Sequence, residues 1–316
     1  MRSDVEFQSL GASLHGWLFR PPAGRAPAVV MAHGFSATRS MTIDKYAEAF
    51  QSKGFAVLLF DHRGFGASGG EPRLEINPWI QTRGYLDAVE FVSRADGIDP
   101  GRIAVWGDSL SGGVACVAAA LDPRIRAAVV QVPAFGEKPP PPDSDGRYYE
   151  MLRKTALSPD VLNYGRPTLG PVPVVSADQV RQPSALKPLS AFRWFIEYGG
   201  RIGSGWVNDV TVAIGDTPTP WQPALCGPHI DVPVLMIVAP EDEMVRANPS
   251  VARIVFESLN GPKEWQAIAG GHFGLLYHPS DIFDEAQQAQ VSFLSRWLGD
   301  DIRAETRMRS PPEVLP

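Results

Sequence analysis

A serine two residues beyond a strand-ending glycine is a candidate nucleophile, and one stretch of this chain has that form: Gly107-Asp108-Ser109-Leu110-Ser111-Gly112-Gly113. Residues 102–106 before it (Arg-Ile-Ala-Val-Trp) read as a short buried strand. Residues 114–121 after it, mostly Ala and Val, read as a helix of small side chains. A sharp turn between the two would hold the Ser109 hydroxyl clear of the backbone and aim the next amide, that of Leu110, at the same space. Gly107 lets the chain reverse without a side-chain clash, and Gly112 and Gly113 let the helix lie close to a sheet. A bare Gly-x-Ser is as readily a loop serine, so the rest of the chain must decide.

A serine hydroxyl becomes a strong nucleophile when a histidine takes its proton and a carboxylate fixes the histidine. Both partners can be placed. Ala239-Pro240-Glu241-Asp242-Glu243 directly follows an apolar run at 234–238, and Gly270-Gly271-His272-Phe273-Gly274 follows a run at 263–268. His272 is therefore the expected base and Asp242 the expected acid; Asp242 is preferred over Glu241 and Glu243, which stay open. His33-Gly34-Phe35 at the end of the run 28–32 is the third segment. The amide of Phe35 and the amide of Leu110 are the expected donors to a developing oxyanion. His33 is expected to orient that loop rather than to move a proton. Asp61-His62-Arg63-Gly64-Phe65-Gly66-Ala67-Ser68 follows the run 55–60 and reads as a tight structural turn, its charges bracing the loop.

The elements needed to hold these residues are legible around them. A hairpin is expected over 5–9 and 13–19, turned at Gly11. Apolar runs at 28–32, 55–60, 103–106, 127–132, 234–238 and 263–268 read as strands, several buried on both faces. Helices are expected over 41–53, 79–94, 112–121, 249–259 and 282–298. Alternation of this kind predicts an α/β fold, a mostly parallel twisted sheet with helices on both faces. Every candidate residue then lies at the carboxyl end of a strand, the edge where such sheets bind ligands. The rhythm breaks from Pro133 to about Pro228, a proline-rich stretch that also carries Phe135, Tyr148, Tyr149, Phe192, Trp194, Phe195, Tyr198, Trp206 and Trp221. Linkers are poor in aromatics, so an ordered insertion is expected. Residues 299–316 read as a flexible tail.

Taken together, His33-Gly34-Phe35, Asp61-x-Arg63-Gly64-x-Gly66-x-Ser68, Gly107-x-Ser109 and Gly271-His272-Phe273 resemble the α/β-hydrolase superfamily over roughly residues 5–135 and 230–298. In flavour the chain is similar to the branch of dienelactone hydrolases, acyl esterases and X-Pro-type serine peptidases. The resemblance implies a catalytic domain of residues 1–133 and 230–298 and a cap inserted at 134–229. One position departs from it: the family elbow is Gly-x-Ser-x-Gly, and Ser111 stands where the last glycine is expected. Gly-Asp-Ser-Leu also spells the block of the GDSL hydrolases, a different fold, but their Asp-x-x-His does not occur in this chain.

Composition narrows the remaining classes. With 29 Lys and Arg against 35 Asp and Glu, the net charge of −6 offers no footprint for nucleic acid and no polybasic membrane patch. Two cysteines, Cys116 and Cys226, cannot build a disulfide framework. The six histidines show no metal-ligand spacing and no Gly-x-Gly-x-x-Gly opens a helix, so neither metal nor dinucleotide cofactor is expected. No apolar run reaches the ~20 residues of a membrane span and no secretory h-region is visible, which points to a cytoplasmic protein. The expected activity is a serine hydrolase cleaving an ester, thioester or lactone of a small acyl substrate, with Phe35, Leu110 and Phe135 in contact with it. Amide, peptide or C–C hydrolysis and acyl transfer use the same residues and remain alternatives, as does a non-catalytic ligand-binding scaffold. A homo-oligomer is left open.

Overall fold

The computed structural model describes residues 1–22 and 24–299; the expected tail lies almost wholly outside them. An eight-stranded sheet forms the centre, in the order β1-β2-β4-β3-β6-β7-β10-β11. Its members are β1 (Arg2–Ser9), β2 (Ala12–Phe19), β3 (Ala26–Ala32), β4 (Ala56–Phe60), β6 (Ile98–Asp108), β7 (Ile125–Gln131), β10 (Val234–Val238) and β11 (Lys263–Ala267). β1–β2 and β2–β4 pair antiparallel and every later pair is parallel. The antiparallel hairpin sits at one edge, where one face can meet water. Strands β3, β4 and β10 are buried along their whole length, which is why their sequences read as unbroken apolar runs.

Helices cover both faces. α2 (Pro78–Ser93), α3 (Ser109–Leu121) and α6 (Pro249–Ser258) bury one core with Ala28, Val30 and Ala32 of β3. On the opposite face, α1 (Ile43–Ser52) and α8 (Asp281–Leu298) bury a second core with Val29 and Met31 of the same strand. That alternation is the period of two of a strand sandwiched between helix layers. Asn77 caps α2 by accepting from the amides of Trp79 and Ile80, and Pro78 occupies its first turn. α2 also contributes Tyr85, whose buried hydroxyl donates to Trp106 O (2.7 Å) and accepts from the Ala32 amide (3.1 Å). It thereby pins the carboxyl ends of β3 and β6, the two strands that carry His33 and Asp108.

The stretch between β7 and β10 is ordered, as its aromatics imply. It holds α4 (Arg147–Ala156), β8 (Arg166–Val172), α5 (Leu189–Gly199) and β9 (Val210–Gly215), with short 3-10 turns at Val161–Asn163 and Pro223–His229. β8 and β9 join β5 (Glu75–Ile76) in a second, three-stranded sheet. The segment divides between the two faces: α4 and the Pro223–His229 turn pack with the first core, and α5 packs with the second. No helix among the described residues is long and apolar enough to cross a membrane.

Candidate active site

Ser109 stands at the junction where β6 ends and α3 begins, three residues earlier than the helix start read from the sequence. Its φ of +52° lies in the left-handed region, which costs a non-glycine residue about 1 kcal/mol or more. Such strain persists only where surrounding structure imposes it. The imposing contact is close: a Cβ on Gly107 would lie 2.1 Å from Ser111 O, so no side chain fits beneath the turn. The Ala134 amide donates to Ser109 O at 2.8 Å and holds the elbow from below. Leu110 lies in the first turn of α3, where helix amides have no carbonyl partner within the helix.

Asp242, in the turn after β10, meets His272 of the short helix α7 (Gly271–Gly274) that follows β11. His272 Nδ1 is 2.8 Å from Asp242 Oδ2, with both side chains almost fully buried (2 % and 1 % exposed). An ionised carboxylate only accepts, so Nδ1 is the donor and Nε2 carries the lone pair. Asp242 Oδ1 accepts from the Met244 amide at 2.8 Å, which fixes the carboxylate plane. The neighbouring acids do other things. Glu241 is exposed. Glu243 accepts from the His272 backbone amide (2.7 Å) and from Ser190 Oγ on α5 (2.5 Å). Burial pushes the Glu243 carboxyl up, but the Ser190 hydroxyl and the His272 amide outweigh it and leave it below the usual range. His272 and Ser109 line the same cleft.

The loop His33-Gly34-Phe35 closes the third side, and the departure at Ser111 gains a physical reason there. Ser111 Oγ donates to His33 O at 2.5 Å. His62 Nε2 lies 2.9 Å from the same hydroxyl and, the serine proton being used, donates to it. The His62 amide donates to His33 Nε2 (3.2 Å), and His33 Nδ1 donates to Gly34 O (2.9 Å). All three side chains are fully buried. Burial lowers the His33 pKa and takes that of His62 well below the usual value, so both rings are neutral. A glycine at 111 would leave His33 O and His62 Nε2–H unpaired. Ser111→Ala is therefore expected to lower kcat about tenfold with KM within twofold, and to cost about 1–3 kcal/mol of stability. Steady-state kinetics and thermal unfolding measure both, and an unchanged kcat would count against the network's role. The Asp61 turn braces the same region: Asp61 accepts from the Arg39 amide (2.8 Å) and the Ala67 amide (3.1 Å), and pairs with the Arg39 guanidinium.

Comparison with known proteins identifies the family. A family model described as serine aminopeptidase, S33, matches residues 24–182, half of the chain. The chain is an α/β-hydrolase. A thiohydrolase of Eupenicillium brefeldianum is 30 % identical over 283 residues, covering 87 % of this chain and 88 % of the relative. The polyketide transferase af380 of Aspergillus fumigatus is 31 % identical over 304 residues, covering 94 % and 99 %. Among solved structures, DcsB in complex with its substrate analogue superposes with a TM-score of 0.71 at 24 % identity, covering 94 % of this chain and 99 % of that one. The hydrolase and transferase class follows from this kinship.

In this α/β-hydrolase α5 and the segment before it line the cleft through Leu186, Trp194 and Phe195. α5 is tied to the His272 region at several points. Besides Ser190 to Glu243, Trp194 Nε1 donates to Leu276 O (3.0 Å), and Tyr198 Oη accepts from the His278 amide (3.0 Å). α5 is thus anchored rather than hanging free. Phe35 lines the cleft; the Leu110 side chain is half-buried and packs against the second core. The structure places Phe135, the third expected substrate contact, away from Phe35 and Leu110. It is buried in the first core with α3 and is not among the described residues lining the cleft.

Asp108 is the residue sequence reasoning passed over. It is buried, lines the cleft, and burial pushes its carboxyl up to about 6, against pulls downward from His272 and the Gly34 amide. A folded-state value above the unfolded ~3.9 means the native protein holds this proton more tightly. Stability from this group is therefore greatest below about pH 4 and declines as pH rises to about 6; above that the ionised carboxyl costs about 3 kcal/mol. Asp108→Asn is expected to be more stable than the parent at pH 8 by about 1–3 kcal/mol, the gap closing towards pH 4. Urea unfolding of both proteins at the two pH values reads the difference directly; a gap that ignores pH would refute it.

Proposed function

We propose that the protein cleaves thioester, ester or lactone bonds of small acyl molecules through an acyl-Ser109 intermediate. The observation that carries this reading is the Asp242–His272 pair at 2.8 Å, with His272 and the strained Ser109 turn lining one cleft. His272 Nε2 takes the Ser109 proton as Oγ forms a bond to the substrate carbonyl carbon. The carbonyl oxygen becomes an oxyanion facing the Phe35 and Leu110 amides, worth about 2.7–4 kcal/mol per well-placed donor. Collapse breaks the bond to the leaving sulfur or oxygen, which receives the proton from His272. Water then gives a proton to His272 and attacks the acyl carbon. The bond to Oγ breaks, the acid leaves, and Oγ recovers its proton.

The relatives' names, a thiohydrolase and a polyketide transferase, support thioester-bound acyl chains as the substrate class. They also favour a second reading, in which an alcohol or amine replaces water in the last step. The apolar cleft under α5 suits an acyl chain in either case. The test is labelling with a fluorophosphonate probe and peptide mapping, followed by thiol release from acyl thioesters. Label on Ser109 that disappears in His272→Ala, with thiol released, is the expected result. Label on another serine, or none together with no thiol release, would overturn the reading.

A further inference from the structure

Of the described side chains lining the cleft, Asp108 is the one polar group besides Ser109 and His272; its companions, among them Phe35, Leu186, Trp194, Phe195, Met244 and Phe273, are apolar. An aspartate directly before a helix ordinarily caps it. Asp108 occupies that position at α3, yet its side chain makes no cap hydrogen bond. The carboxylate instead lies beside the oxyanion loop, where a Cβ on Gly34 would stand 2.8 Å from Oδ2. Oδ1 is buried and has no hydrogen-bond partner among the described residues. Neighbouring donors are committed elsewhere: Tyr46 Oη donates to Leu275 O (2.7 Å), Tyr85 Oη to Trp106 O (2.7 Å), and His272 Nδ1 to Asp242 (2.8 Å). A buried carboxylate oxygen without a donor is costly, and the cleft is the side not filled by protein.

We infer that Asp108 is a specificity residue, accepting a hydrogen bond from an O–H or N–H group on the acyl part of the substrate, a few bonds from the carbonyl carbon. The inference rests on acyl groups occupying this cleft as proposed above. Asp108 immediately precedes Ser109, so the two Cα atoms are about 3.8 Å apart and a donor close to the carbonyl is within reach. Its place against Gly34 puts it on the acyl and oxyanion side rather than on the leaving-group side at His272. Rotation about the last side-chain bond is soft, so either carboxylate oxygen can turn to the donor. Unsatisfied, the charge opposes a developing oxyanion next to it. A donor on the substrate removes that opposition, so the effect falls on kcat as well as on KM. Sites built to hydrogen-bond a substrate group discriminate strongly against analogues lacking it.

The test compares 3-hydroxyacyl, 3-aminoacyl and plain acyl thioesters of equal chain length in the parent protein, Asp108→Asn and Asp108→Leu. The expected parent preference for a donor-bearing chain is about tenfold or more in kcat/KM, falling to near unity in Asp108→Leu. Each ratio is taken within one protein, so a loss of folded enzyme cancels. Hydroxyl or amine preference identifies which donor is used. The same chains, as carboxamides, are titrated calorimetrically into Ser109→Ala with and without Asp108→Leu. An Asp108-dependent binding ratio without any turnover would remove the acyl-Ser109 reading and leave this one standing. A ratio near unity in the parent, the same ratio after Asp108→Leu, or no amide binding overturns it.

Discussion

Ser109→Ala is expected to lower kcat/KM for acyl thioesters by four to six orders of magnitude while leaving the fold intact. The size follows from the roles. Without Oγ no covalent intermediate forms, and His272 has no proton to take. What survives is the binding cleft and the two amides, enough for about 10³–10⁴ over the uncatalysed rate when a triad is removed. Residues acting as a unit are not additive, so His272→Ala should fall to a similar floor and the double variant little further. Folding should be unharmed or improved, because the hydroxyl of Ser109 is not what holds its backbone at φ +52°; the packing at Gly107 and the Ala134 amide do that. Thiol release and circular dichroism of the three variants check the claim. Activity within tenfold of the parent in Ser109→Ala would refute the nucleophile assignment.

The strands of the sheet were readable because burial on both faces leaves a continuous apolar run, and their alternation with helices implies the parallel order. What escaped reading depended on partners far away in sequence. β6 begins at Ile98, not Ile103, because Ile98 pairs with Ala26 across a register shift; its Asp99-Pro100-Gly101 reads as a turn. The small sheet of β5, β8 and β9 is hidden in the sequence by Pro167, Gly170 and Pro171 and by the exposure of β8, which erases any alternation there. In the site, residue types and order single out Ser109, Asp242, His272 and the Phe35 loop, residues that the fold gathers at the carboxyl ends of β3, β6, β10 and β11. Sequence could not say what Glu241 and Glu243 do, because the difference is burial and direction. Nor could it foresee that Ser111 joins His33 to His62, pairs 78 and 49 residues apart. Phe135 lies in the first core, which sequence cannot tell because an aromatic in a linear chain does not say which core receives it. Nothing in the sequence singles out Asp108, because its missing cap bond and lone oxygen are visible only in three dimensions.

Asp242→Asn is the second large effect, expected at about 10⁴-fold in kcat, and it separates the three adjacent acids. The amide that replaces the carboxylate can donate a hydrogen bond to His272 Nδ1, which then becomes the acceptor. The ring proton moves to Nε2, the nitrogen that must accept from Ser109, so the geometry survives and the base is lost. Loss of the carboxylate also removes the charge that supports the imidazolium as Ser109 attacks. Glu243→Gln is a different change, because an amide oxygen can still accept from the His272 backbone amide, and the tautomer of the ring is untouched. Its cost is expected within tenfold. Glu241→Gln should be silent, since the side chain is exposed. Kinetics of the three variants under identical conditions distinguish the roles. A Glu243→Gln loss as deep as that of Asp242→Asn would mean that holding the histidine backbone matters as much as fixing its tautomer, and the assignment of Asp242 as the acid would fail.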